Sequence, residues 1–347
     1  MKHRITSWFG PGLLVAFASL SQPALAAPVS AELLAAAEKE GKVTWCNGSI
    51  PDAANQEMIK RFKELYPKID LVMLRSTSQV AYQRLHQDFQ NKMRNCDIFS
   101  SSDISHFVEL DNAGRIEEYV PANAAEIHPE YKMLYKEGFY YPGMIALQIM
   151  SYNSDLVDKA SAPTNWTDLL DPEWKGKAAM GHPGFSGFTG TWLILMRELY
   201  GDEFLDKLKE NAPLIGRSNT DSVSQVVAGE RLIGVSASAS IYQSQLRGNP
   251  IEMVYPEDGS LLMVAPVAIV KDPANPSAAR VFMEFLLGED YSEVAMNVAG
   301  YYPVNKNVKM DDRQRAIGTF KTVRPPLDTI VNEMRESIEL WRDTFGN

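Results

Sequence analysis

The sequence predicts an α/β protein, a largely parallel sheet with helices on both faces. Two patterns predict it. Short apolar stretches alternate with amphipathic helical ones, and the apolar stretches repeatedly end in runs of Ser, Thr, Asn or Gly that open the next helix. Bulk properties agree: 347 residues, 45% hydrophobic and 22% charged, is the balance of an ordinary globular chain with room for about two domains. A formal charge of −10 without a basic tract argues against nucleic acid as a partner, because phosphate neutralisation supplies most of that affinity.

Lys2, His3 and Arg4 open the chain, an apolar stretch runs from Leu13 to Leu20, and Ala24-Leu25-Ala26 supplies a small-x-small cleavage pattern. Residues 1–26 are therefore expected to be a secretory signal peptide, which places the protein in the periplasm. The apolar stretch is too short for a membrane span. Ser30 is placed to cap a helix that stops at Gly41, and a strand follows from Lys42 to Cys46. A helix after Pro51-Asp52 carries Met58, Ile59, Phe62 and Leu65 on one face and ends before Pro67. The next strands, Ile69 to Leu74 and Asp97 to Phe99, empty into Arg75-Ser76-Thr77-Ser78 and Ser100-Ser101-Ser102-Asp103, each at the start of a helix.

The middle of the chain repeats this grammar. Strands are predicted over Met144–Tyr152 and Lys177–Met180, the latter ending in the Gly- and Ser-rich run 181–190 before a helix with Trp192, Leu195 and Met196. Pro213 to Ile215 precedes Arg217-Ser218-Asn219-Thr220-Asp221 and a helix over 222–228. Further strands are read at Ile233–Ala237, Ile251–Val254 and Met263–Val270, with helices from Pro276 onward. Ligands in open α/β sheets bind outside the carboxyl ends of the strands, where helix N-termini offer free N–H groups. The hydroxyl runs thus read either as helix caps or as the lining of a cleft. Recurrence at one sheet edge favours the cleft.

At this point the chain resembles the type II periplasmic solute-binding proteins of ABC importers, extracellular solute-binding family 1, in the branch of ferric-ion, sugar-phosphate and phosphonate binders. The resemblance rests on Gly41-Lys42-Val43-Thr44, Phe62-Lys63-Glu64-Leu65-Tyr66-Pro67, Asp97 to Asp103, Tyr152-Asn153, Asn165 to Pro172, Trp174-Lys175-Gly176-Lys177, Pro256-Glu257-Asp258-Gly259 and Gly300 to Asn305. It implies a two-lobed fold, each lobe a mixed sheet flanked by helices. Lobe 1 would take 27–145 and 258–347 and lobe 2 would take 146–257, with a solute held between them and passed to an inner-membrane permease by a monomeric receptor.

Ferric binders of this branch hold iron with adjacent tyrosinates on a strand-to-helix turn of the second lobe. The matching stretch here, 234–242, keeps Tyr242 and lacks the pair. Hard Fe(III) needs several anionic oxygen ligands, so a small anionic solute bearing phosphate, phosphonate or carboxylate is expected ahead of iron. If iron were bound, Tyr152 and Tyr242 would be the candidates. For an anion, the candidates from lobe 1 are Asn47, Arg75, Ser76, Thr77, Ser101 and Ser102. Those from the second lobe are Tyr152, His182, Ser186, Gly187, Arg217, Ser218, Ser238 and Tyr242. No cofactor is expected. An enzyme is not expected either: Gly184-Phe185-Ser186-Gly187-Phe188 fails the G-x-S-x-G elbow, which leaves a secreted hydrolase as a remote alternative.

Cys46 and Cys96 are the two cysteines. An oxidising compartment favours pairing them, whereas strand direction opposes it. Cys46 ends one predicted strand and Cys96 precedes another, which for parallel neighbours puts them about 13 Å apart at ~3.3 Å per residue. The sequence leaves the pairing open.

Overall fold

A computed structural model describes residues 29–49 and 52–346, so the predicted signal peptide lies outside the described residues. The first half of the chain builds α1 (Ala31–Glu40), β1 (Lys42–Gly48), α2 (Asp52–Leu65), β2 (Asp70–Arg75), α3 (Ser78–Gln90), β3 (Ile98–Ser101) and α4 (Ser105–Asn112). The crossing strand β4 (Tyr141–Asn153) leads to β5 (Ala178–Gly181), α5 (Gly187–Tyr200), α6 (Glu203–Glu210), β6 (Leu214–Gly216), α7 (Asn219–Val227), β7 (Ile233–Ala237), α8 (Ser238–Leu246) and β8 (Ile251–Val254). The chain returns through β9 (Ser260–Ile269) into α9 (Pro276–Leu287), α10 (Glu289–Ala299), β10 (Thr322–Val323) and α11 (Leu327–Phe345).

Strands run in the order β2-β1-β3-β9-β4-β7-β5-β6, with β10 beside β9 and β8 beside β4. β1 is parallel to β2 and β3, and β5 is parallel to β6 and β7, as the alternating pattern requires. The pairs β3–β9, β4–β9, β4–β7 and β4–β8 are antiparallel, so the sheet is mixed. β4 pairs with β9 through Gln148 and with β7 from Gln148 to Tyr152; it thereby leaves one half-sheet and enters the other. Both long strands are buried along their whole length, which matches their near-continuous apolar sequence. Each half buries its own aromatic core. Trp45 and Phe62 pack on Phe282 at 5.2 Å in the first half, and Trp166 packs on Trp192 at 5.9 Å in the second.

One expectation changes and one open question closes. The C-terminal helix, expected with the first lobe, touches α4 of the first half but lies mainly against α5 and α6, and Arg197 of α5 donates to Ser337 at 2.8 Å and also pairs with Glu336. An amphipathic helix goes where its apolar face is covered, and Met334 finds that cover at Gly190. The open question of the cysteines is also settled: Cys46 and Cys96 are bridged, with Cα atoms 5.7 Å apart. The rise-per-residue estimate assumed that Cys96 extends β3. Instead β3 begins at Ile98 and the preceding residues are irregular, so the chain turns back towards β1, where Asp97 N–H donates to Thr44 O at 2.9 Å.

Candidate functional site between the half-sheets

The carboxyl ends of β1 and β2 and the loop after β3 face those of β5, β6 and β7 across a cavity of about 120 Å³. Arg75, Ser76, Thr77 and Ser102 line it from one side, and Ser186, Arg217 and Ser218 from the other. Phe185, Phe188 and Met144 supply apolar wall. These seven polar candidates are thus brought together.

The first wall is shaped by a tight crossing of backbones. A Cβ on Gly48 would stand 2.9 Å from Ser100 O and 3.0 Å from the Ser78 Cα, so glycine lets β1 end there. Ser78 Oγ donates to Gly48 O at 2.7 Å and therefore accepts from Ser102 Oγ at 2.6 Å, which uses the hydroxyl protons of both serines. Ser76 and Thr77 differ. Ser76 is held by its backbone, N–H to Asn47 O at 3.1 Å, and Thr77 precedes α3 without a side-chain cap bond. Both residues line the cavity, and neither hydroxyl has a protein partner among the described residues.

On the second wall the caps are made. Ser186 Oγ accepts from Thr189 N at 3.4 Å and from Asn219 Nδ2 at 3.5 Å. Ser218 Oγ accepts from Asp221 N at 3.2 Å, and Asp221 Oδ2 accepts from Arg217 N and Ser218 N at 2.8 and 3.1 Å. An oxygen that accepts a cap bond keeps its O–H for another acceptor, so both serines remain donors to an anion. The Arg217 guanidinium stands 5.3 Å over the Phe185 ring.

Gly187 belongs to neither wall alone. A Cβ there would lie 2.5 Å from Ser102 O and 2.6 Å from the Asp103 Cα, so the start of α5 touches the loop after β3 directly.

The remaining candidates do not line the cavity. Asn47 is buried behind it, accepting from Ser49 N at 2.9 Å and donating to Asn55 Oδ1 at 3.2 Å. Ser101 turns inward to His106 Nδ1 at 2.9 Å. Ser238 Oγ accepts from Leu147 N at 3.1 Å and ties α8 to the crossing strand. Tyr242 is fully buried against Gly300, its hydroxyl on Asp311 at 3.2 Å. Tyr152 pairs with Ile233 and Glu252, at the end of the second half-sheet remote from the cavity, because β4 runs antiparallel to β7. His182 faces a neighbouring hollow with Phe185 and Arg217.

Residues that sequence reasoning missed are Ser49, Met144, Phe188, Asn219, Thr220, Ser240 and Tyr301. Asn219 and Thr220 sit inside the run that flagged Arg217 and Ser218, and Tyr301 sits inside the Gly300–Asn305 motif; adjacency was the available signal. Tyr301 is the one tyrosine in the cavity lining. Burial pushes its phenol well above the usual value, and Arg75 offsets this only in part, so it stays protonated at neutral pH. No Asp or Glu lines the cavity among the described residues. Nor does any cluster of three His, Cys, Asp or Glu side chains suited to a metal occur among them.

Comparison with known proteins places this geometry. Residues 94–324 match the family model described as bacterial extracellular solute-binding protein. The spermidine/putrescine-binding periplasmic protein of Escherichia coli is 26% identical over 193 residues, about half of each chain (52% and 53%). Iron-bound HitA from Pseudomonas aeruginosa superposes with a TM-score of 0.77 at 20% identity, covering 87% of this chain and 99% of that one. AfuA from Actinobacillus pleuropneumoniae, solved with fructose-6-phosphate, gives 0.78 at 19% identity over 88% and 98%. At such identities the structural likeness shows the two-lobed fold and leaves the ligand to the residues of the cavity.

Proposed function

This chain belongs to the bacterial extracellular solute-binding proteins, and from that premise we propose that it captures a small anionic solute between its lobes for an ABC importer. One observation carries the choice of ligand: two arginines and several hydroxyl donors line the cavity, and no carboxylate does among the described residues. A polyamine needs carboxylates to neutralise its ammonium groups, and Fe(III) needs anionic oxygens. Neither is supplied among the described residues, for the phenol in that lining keeps its proton. Guanidinium and hydroxyl donors gathered at helix starts suit phosphate, phosphonate or carboxylate.

In this reading the lobes exchange chain near residues 145 and 258, where β4 and β9 cross. Ser76, Thr77, Ser186 and Ser218 hold the anion with Arg75 and Arg217. Residues 1–26 direct export to the periplasm, and the receptor works there as a monomer, without catalysis, handing its solute to an inner-membrane permease. No helix among the described residues is long and apolar enough to cross a membrane.

Calorimetric titration with inorganic phosphate, alkyl phosphonates, organic acids, spermidine and Fe(III) tests the reading. Saturable heat with at least one anion, none with spermidine and no visible tyrosinate-to-iron band is the expected result. Saturable spermidine binding, or a coloured iron complex, would overturn it.

A further inference from the structure

The wall between the interlobe cavity and a second hollow of about 390 Å³ is made by Phe185 and Arg217, which line both. His182, Ile215 and Arg342 complete the second hollow together with two glycines. Its charge is unusual for an acidic protein. Arg61, Arg197 and Arg335 each hold a carboxylate. The Arg217 and Arg342 side chains, in contrast, make no ion pair among the described residues, and no carboxylate lines the hollow. Asp221, which packs on Gly216, has Oδ2 committed to the Arg217 and Ser218 N–H groups. His182 is buried and its Nδ1 accepts from Gly184 N at 2.9 Å. The hollow therefore offers two guanidinium groups beside the apolar faces of Phe185 and Ile215. Its potential is positive where the chain as a whole is negative.

We propose that this hollow is a second anion subsite of the same solute site, so that the solute is an elongated organic dianion. One anionic group lies among Ser76, Thr77 and Ser186, the apolar middle passes Phe185, and the second anionic group lies between Arg217 and Arg342. The inference rests on the anionic reading above and deepens it. Two tethered anionic groups gain because the second binding event becomes intramolecular, and that gain depends on the spacer matching the distance between the subsites.

The test is calorimetry of the purified protein with linear α,ω-bisphosphonates of two to eight carbons, each against the monophosphonate of equal length. At one chain length the bisphosphonate is expected to bind at least about tenfold more tightly than its monophosphonate, as tethering predicts. Arg342→Ala removes that gain and leaves monophosphonate affinity unchanged, whereas Arg335→Ala, a loss of charge elsewhere on the same helix, leaves both unchanged. A gain that survives Arg342→Ala, or no gain at any length while monophosphonates bind, overturns the second subsite alone. Failure of every phosphonate and of inorganic phosphate to bind removes the phosphate-type anion reading, and the second subsite with it.

Discussion

The two walls of the cavity present the same residue types and hold them differently. On the second wall Ser186 and Ser218 are fixed by the helices they cap. On the first, Ser78 and Ser102 have used their protons within the wall, while Ser76 and Thr77 are tied only through backbone or neighbours. One wall is therefore set before a solute arrives, and the other adjusts its hydroxyl rotors to it. Preset donors lose little entropy on binding, and adjustable ones tolerate variation in the solute.

The largest effect that would sharpen this contrast concerns what anchors the adjustable wall. The Cys46–Cys96 bridge closes a separation of 50 residues, and Cys46 lies two residues before Gly48. The chain-entropy relation puts its contribution at about 4 kcal/mol, an upper figure where the reduced chain keeps structure. Urea unfolding of Cys46→Ala/Cys96→Ala should show a loss of that order together with weaker solute binding. A loss below about 1 kcal/mol would mean that the wall is held by packing alone.

Next comes the place where the walls touch. Gly187→Ala puts a methyl group into the backbone of Ser102 and Asp103. Overpacking of about 1–3 kcal/mol corresponds to roughly 5- to 150-fold weaker solute binding. The melting temperature of the solute-free protein should stay unchanged, because the clash acts between lobes and not within one. Unchanged affinity would show that the bound state does not close at this point.

Smaller effects separate the hydroxyls themselves. Ser186→Ala removes a cap and a donor, so it should cost about 1 kcal/mol of stability as well as affinity. Ser76→Ala and Thr77→Ala should each weaken binding by about 0.5–1.5 kcal/mol and leave thermal unfolding where it was. If Thr77→Ala destabilised the fold as much as Ser186→Ala, the two walls would be equivalent and the contrast would fail.

What was legible in the sequence follows the range of the interactions. Strand ends, caps and hydroxyl runs are local signals, and they brought Arg75, Ser76, Thr77, Ser102, Ser186, Arg217 and Ser218 to one cavity. Tyr152, Ser238 and Tyr242 depend on which way β4 runs and what α10 packs against, and neither is written in their own neighbourhoods. Tyr301 arrives from more than 200 residues beyond Arg75 along the chain, carried by the turn after α10. The bridge was illegible for a related reason: four irregular residues, not a strand, precede Asp97.

Acid should act on the adjustable wall first. His106 is buried behind it, with Nδ1 at 2.9 Å from Ser101 Oγ, Nε2 at 3.5 Å from Asp103 Oδ2 and the ring stacked 4.0 Å from Tyr82. Burial lowers its pKa, and Asp103 and Glu109 offset this only in part. The folded state thus keeps the ring neutral where the unfolded chain protonates it, near the ordinary value of about 6.5. Stability from this group is complete above that pH and is lost as pH falls below it towards the folded-state value. Urea midpoints should therefore drop between pH 7.5 and 5, and His106→Gln, which retains a hydrogen-bonding side chain without the titration, should flatten that drop. Because the folded ring stays neutral over that window, the affinity of the folded protein should hold there while its stability falls. An identical pH profile for the two proteins would place the acid-sensitive group elsewhere and leave the first wall no more labile than the second.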